Sequence, residues 1–201
     1  MTEWDTTTVA QVARCLQGGG VVLLPTDTVY GLAALPTFPQ SIERIYALKG
    51  RPKDANLPVM LASEDAIESL GVDINDTARR LLHSDLVPGA LTLVMGFRGA
   101  SVPEWLKGRV EVALRIPDDH LLLAILQRTG PALVTSANAH GACTPERLAE
   151  VLAQLEGTPD LAIDGGVLQS VPSTLVNCRF EPPVIEREGA ISAEEIMERL
   201  A

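Results

Sequence analysis

Short aliphatic runs that stop abruptly in polar loops are the strongest constraint on the fold of this chain. Val21-Val22-Leu23-Leu24 and the runs at 57–61, 91–95, 110–116 and 132–135 have strand length and are too short for buried helices. Segments of helical period separate them. Val9, Val12, Ala13 and Leu16 recur at helical spacing after Thr6-Thr7-Thr8, and Gly18-Gly19-Gly20 ends that helix. The same reasoning predicts a helix over 41–48, with Ile42, Ile45 and Tyr46 facing inward, and short helices over 64–70 and 76–83, the second capped by Asn75. Asp118 or Asp119 can cap a helix to Gln127. Thr144-Pro145 reads as an N-cap with proline at the first helical position, opening a helix to Leu155. Three short strands come next, at 161–164, 174–177 and 184–187. Ser192 with Glu195 makes a capping box for the last helix.

Strands interleaved with helices indicate an α/β architecture, but the spacing is uneven and several strands adjoin with no helix between them. The expected fold is a twisted mixed open sheet with flanking helices, in one domain over 1–201, without repeat or linker. Within 110–116 the side chains alternate. Val110, Val112, Leu114 and Ile116 share one face, and Glu111, Ala113 and Arg115 share the other.

Hydrophobic residues make up 46% of the chain and aromatics 3%, so the core must be aliphatic. The formal net charge of −10 argues against a general nucleic-acid binder, whose footprint is basic; phosphate, if handled, belongs in a local cleft. Cys15, Cys143 and Cys178 are widely spaced and odd in number, which suits reduced thiols. His83, His120 and His140 are equally scattered and form no metal motif. Met1-Thr2-Glu3-Trp4-Asp5 lacks the regions of a signal peptide, and no apolar run reaches membrane-spanning length. These features predict a cytoplasmic protein without a membrane partner.

Four polar segments lie directly against predicted strands. Pro25-Thr26-Asp27-Thr28-Val29-Tyr30-Gly31 comes after a buried strand, at the carboxyl end where open α/β sheets place ligands; a plain polar turn is the competing reading. Lys49-Gly50-Arg51-Pro52-Lys53-Asp54 reads as a cationic loop suited to phosphate or carboxylate, or else as a solvated charge run. Thr135-Ser136-Ala137-Asn138 offers hydroxyl and amide groups to a polar ligand, or closes a turn. The fourth runs from Asp164-Gly165-Gly166 through Val171-Pro172-Ser173-Thr174 to Arg187-Glu188-Gly189. Gly-x-x-x-x-Gly-Lys-Ser/Thr and Gly-x-Gly-x-x-Gly are both absent, so nucleotide binding here must be of an unusual type.

In order and spacing these segments, together with Pro88-Gly89-Ala90-Leu91-Thr92, Arg115-Ile116-Pro117 and Arg187-Glu188-Gly189-Ala190-Ile191, resemble the YrdC family of threonylcarbamoyl-AMP synthases from about Val9 to Ile191. The resemblance implies a concave basic cleft in a YrdC-like fold. It implies an enzyme, a nucleotidyltransferase, that condenses L-threonine with bicarbonate and transfers AMP from ATP to the product, releasing pyrophosphate. Magnesium would arrive bound to ATP, and the adenylate would pass to a tRNA-modifying complex. Lys49 and Arg51 would face the phosphates and bicarbonate as the catalytic cations. Thr28, Arg115 and Ser173 would contact threonine. Arg51, Asn56, Ser136, Asn138, Thr144 and Arg187 would hold ATP. The pattern departs at Val87, Ala90, Glu111, His140 and Glu188. Glu111 is expected either to pair with Arg115 or Lys49 or to repel the triphosphate. The alternatives are a paralogue with another substrate and an RNA-binding module, to which any weak local RNA binding in the cleft would belong; the net charge and scarcity of aromatics argue against the latter.

Overall fold

The computed structural model describes residues 6–52, 56–99 and 102–201. Met1 to Asp5 and the predicted loop residues Lys53 and Asp54 lie outside the described residues. The chain forms α1 (Thr6–Gln17), β1 (Val22–Leu24), β2 (Gly31–Ala34), α2 (Pro39–Lys49), β3 (Val59–Met60), α3 (Glu64–Glu68), α4 (Asp76–Leu82) and β4 (Leu91–Met95). It continues with β5 (Val112–Arg115), α5 (His120–Thr129), β6 (Ala132–Ser136), α6 (Leu148–Gln154), β7 (Leu161–Ala162), β8 (Thr174–Asn177), β9 (Val184–Arg187) and α7 (Ala193–Leu200). Among the described residues no helix is long and apolar enough to cross a membrane.

The strands make one sheet in the order β7-β1-β2-β6-β3-β5-β4-β8-β9. Its pairs are mixed: β1 with β7, β3 with β5 and β4 with β8 are parallel, and the others are antiparallel. Side-chain alternation divides the core in two. Leu23, Leu32, Leu93, Leu114, Leu133 and Val176 point to one face, where they pack with Ile45, Leu81, Val151 and Ile196 from α2, α4, α6 and α7. Val22, Leu24, Ala33 and Val134 point to the other, against Val12 and Leu16 of α1 and Leu122 and Ile125 of α5. Those two helices cover the part of their face made by β7, β1, β2, β6 and, through Met60, β3. Beyond them, the same face of β5, β4 and β8 is absent from that buried cluster and forms the floor of a cavity.

Three sequence expectations need correction. The sequence pattern sets Gly31 at the end of a polar loop and marks no strand after it, yet Gly31–Ala34 is the buried strand β2, paired antiparallel to both β1 and β6. Its small residues carry no alternation signal, and Gly31 is required because a Cβ there would stand 2.9 Å from Val134 Cγ1. Thr144-Pro145 does not open α6, which starts at Leu148 with Arg147 in the cap position. The carbonyls of Thr144 and Glu146 instead accept from the Ser170 hydroxyl and the Leu168 amide, so this backbone is engaged by a neighbouring loop. Lys49, expected in a loop, is the last residue of α2, with Gly50 (φ 57°) as the left-handed cap.

Asn75 binds a helix to the sheet. Its Oδ1 accepts from Ala78 N (2.9 Å) at the start of α4, and its Nδ2 donates to Cys178 O (2.6 Å) just past β8. Asn75→Ala removes a cap and leaves a carbonyl without its donor, so it should lower unfolding free energy by about 1–3 kcal/mol in urea denaturation. Ser192→Ala, at the exposed capping box of α7, should lower it by about 1 kcal/mol or less.

Candidate active site

The concave floor holds a cavity of about 400 Å³. β5 contributes Arg115 and Ala113, with Glu111 just ahead of the strand; β4 contributes Thr92 and Val94; β8 contributes Leu175; β3 contributes Met60. These are the outward members of each alternating strand, and their inward neighbours lie in the core. Around the rim stand Thr28, Arg51, Asn56, Ser136, Ser173 and Arg187. Seven of the sequence-predicted site residues therefore meet in one cavity: Thr28, Arg51, Asn56, Arg115, Ser136, Ser173 and Arg187.

Lys49, Asn138 and Thr144 are not among its lining residues. The Lys49 side chain is buried, and its Nζ donates to Ser136 O, to Asn138 O (2.7 Å) and to Asn138 Oδ1 (3.1 Å). Burial, then the neighbouring Arg51 charge, pulls its ammonium down to about 8. The three oxygens hold the Lys49 ammonium against the 135–138 loop. Asn138 Nδ2 donates to Ala142 O (2.7 Å). Thr144 serves the loop contact already described.

Two other buried polar groups hold the rim. Tyr30 is fully buried; its hydroxyl donates to Gly166 O (2.8 Å) and accepts from Gly165 N (2.9 Å), which locks the loop after β1 to the Asp164-Gly165-Gly166 turn. Gly165 is obligatory there, because a Cβ would lie 2.4 Å from Pro25 Cβ. Thr174 Oγ1 accepts from Gly189 N (2.9 Å) and Ile191 N (3.0 Å), fixing the loop after Arg187.

The cations differ in how tightly they are held. Arg115 donates through Nε to Gly89 O (2.9 Å), through Nη1 to Thr28 Oγ1 (3.0 Å) and through Nη2 to Asp27 Oδ1 (2.7 Å). Burial lowers its pKa and the Asp27 carboxylate opposes that shift. Arg187 donates through Nε (3.1 Å) and Nη2 (2.8 Å) to Ser173 O, and its pKa is lowered first by burial and then by the charge of Arg115. An anion between these two guanidiniums would relieve their repulsion. Arg51 is held loosely. Its contacts to Thr135 Oγ1 and Asn56 O are both 3.4 Å, and its buried Nε has no hydrogen-bond partner among the described residues. Its donors are available to a ligand.

Glu111 lines the cavity but pairs with neither Arg115 nor Lys49. Its partner is Arg179, beyond β8. Arg115 lies four residues further along the chain, about 13 Å away in a strand, and is already paired with Asp27. Two polar lining residues, Thr92 and Glu186, are assigned no site role by the sequence. Thr92, whose hydroxyl lies 2.8 Å from that of Ser173, ends the Pro88-Gly89-Ala90-Leu91-Thr92 segment and shares the outward face with Val94. Glu186 lies on the edge strand β9 and is held by Asn177 Nδ2 (2.7 Å); no sequence signal singles it out.

A family model, Sua5/YciO/YrdC, described as telomere recombination, matches residues 14–189. A Bacillus subtilis protein named threonylcarbamoyl-AMP synthase is 36% identical over 191 residues, 94% of this chain and 55% of its own length. The crystal structure of Pyrococcus abyssi Sua5 complexed with L-threonine superposes with a TM-score of 0.89 at 31% identity, covering 100% of this chain and 59% of that one. Escherichia coli YciO superposes at 0.84 with 26% identity, covering 96% and 94%. The chain thus spans little more than half the length of the first two. The resemblance drawn from the motifs extends through the whole sheet and its flanking helices: the chain belongs to the Sua5/YciO/YrdC family.

Proposed function

We propose that this chain is a threonylcarbamoyl-AMP synthase. The observation that carries the reading is the gathering of Arg51, Arg115 and Arg187 with Thr28, Ser136 and Ser173 in one cavity. In the proposed reaction, the amino group of L-threonine takes up bicarbonate with loss of water. A carboxylate oxygen of the resulting carbamate attacks the α-phosphorus of ATP, and pyrophosphate leaves. This chemistry requires no protein nucleophile. It requires alignment and positive charge over the transferring phosphorus. Arg115, with Thr28 and Ser173, would take the threonine carboxylate end. Arg51, Asn56, Ser136 and Arg187 would take ATP, with Asn138 and Thr144 shaping that wall from behind. Lys49 acts on the same wall through Ser136 and Asn138. Among the described residues no three His, Cys, Asp or Glu side chains gather as a metal group, so magnesium would enter on the triphosphate oxygens and reduce their charge. The adenylate would then pass to a cytoplasmic tRNA-modifying complex.

The purified chain should release pyrophosphate from ATP only when threonine and bicarbonate are both supplied, with threonylcarbamoyl-adenylate as the mass-spectrometric product. Equal release without threonine would refute the assignment.

Arg51 and Lys49 should separate by readout. Arg51→Ala should lower turnover about 10²–10³-fold, the scale of one preorganised electrostatic contact, with an unchanged unfolding midpoint. Lys49→Met leaves three oxygens without their donor and should also lower stability by about 1–3 kcal/mol. A Lys49→Met protein as stable as wild type would show that the ammonium is not a structural anchor.

Glu111→Thr removes a cavity carboxylate and frees the Arg179 guanidinium. ATP binding should tighten, and the gain should shrink as added salt screens the charges. Calorimetric titration at two ionic strengths measures both effects; no change in ATP affinity would show that this end of the cleft does not meet the nucleotide.

A further inference from the structure

Arg115 is 4% exposed, and each of its three nitrogens already donates to the protein. A guanidinium carries five N–H donors, so two remain for a ligand, and their direction is set by the three that are committed. Two of those three partners, Gly89 O and Thr28 Oγ1, are neutral acceptors. The third, Asp27, is a carboxylate only 11% exposed that uses both oxygens: Oδ1 accepts from Arg115, and Oδ2 accepts from Asp118 N (3.0 Å) in the turn between β5 and α5. Asp27 therefore joins the loop after β1, the end of β5 and the start of α5 through one side chain. It is not among the residues lining the cavity. A charge-assisted bond of this kind fixes the plane of the guanidinium more strictly than a neutral acceptor can.

We propose that Asp27 is a positioning residue for the amino-acid end of the cleft, acting on the substrate carboxylate solely through Arg115. The inference rests on the reading of Arg115 as a threonine contact. It predicts a loss confined to one ligand. Asp27→Asn keeps the shape of the side chain and removes its charge, so kcat/KM for threonine in pyrophosphate release should fall about 10²-fold, as for a misdirected contact. The KM for ATP should stay as in wild type. A residue with a merely structural role would shift both substrates together.

The decisive comparison is a cycle of Asp27→Asn, Arg115→Gln and the double variant in the full chain, read by calorimetric titration of L-threonine. Once Arg115 is gone, Asp27 has no guanidinium to orient and keeps only its contact to Asp118 N, so Arg115→Gln and the double variant should bind threonine equally weakly. The double variant carries neither buried charge, so this comparison stands even if Asp27→Asn alone fails to fold. Wild-type threonine affinity in Asp27→Asn, or a further loss in the double variant beyond Arg115→Gln, would overturn the proposal while leaving the functional reading intact. Failure of the wild-type chain to bind threonine at all would overturn both.

Discussion

A sheet must bury its apolar face, and here one face is covered by α1 and α5 for only part of its width. The remaining strands cannot present a run of large aliphatic side chains to water. Their outward positions are Thr92 and Val94, Ala113 and Arg115, and Leu175, with Ser173 just ahead of β8, a mixture of aliphatic, polar and charged groups. The inward positions of the same strands, Leu93, Leu114 and Val176, remain aliphatic because helices pack on that side. The concavity and its chemistry arise from this unequal cover. A third helix over β5 and β4 would remove the site.

The loops around the floor are held by buried polar groups whose partners are largely backbone. Tyr30, Lys49 and Thr174 each satisfy two or more peptide groups of a loop distant in sequence. Leaving such a group unpaired costs about 1–3 kcal/mol, so each loop has one strongly preferred arrangement. The rim is thereby organised before a ligand arrives, which is what alignment-based catalysis of phosphoryl or adenylyl transfer demands. Arg51 stands apart from this scheme, with long contacts and an unpartnered Nε among the described residues. It is the lining cation with most freedom to adjust to a ligand.

Much of this is legible in the sequence. Aliphatic runs mark strands, and alternation over 110–116 correctly separates Val112 and Leu114 from Ala113 and Arg115. It fails at Val110, which is 72% exposed because β5 begins only at Val112. Asn75, Asp119 and Ser192 are caps as expected. β2 leaves no local trace, because Gly-Leu-Ala-Ala has neither period nor β-branched residues, and it is a strand only because β1 and β6 flank it. The motif loops are visible as polar punctuation, yet nothing local distinguishes Arg51, which faces the cavity, from Lys49 two residues earlier, which faces the protein.

The amino-acid sequence by itself determined the element types other than β2, the aliphatic core and the set of polar segments from which a site could be made. These depend on local period, capping and composition, which act over a few neighbouring residues. Only the tertiary structure decided which strand face stayed uncovered, that Glu111 meets Arg179 and Arg115 meets Asp27, and that Lys49 is an anchor and not a lining residue. The contacts of Glu111, Arg115 and Lys49 join positions 68 to 89 residues apart in the chain, and the helical cover joins segments farther apart still. At such separations a side chain's partner is set by strand order and helix placement, which no local pattern encodes.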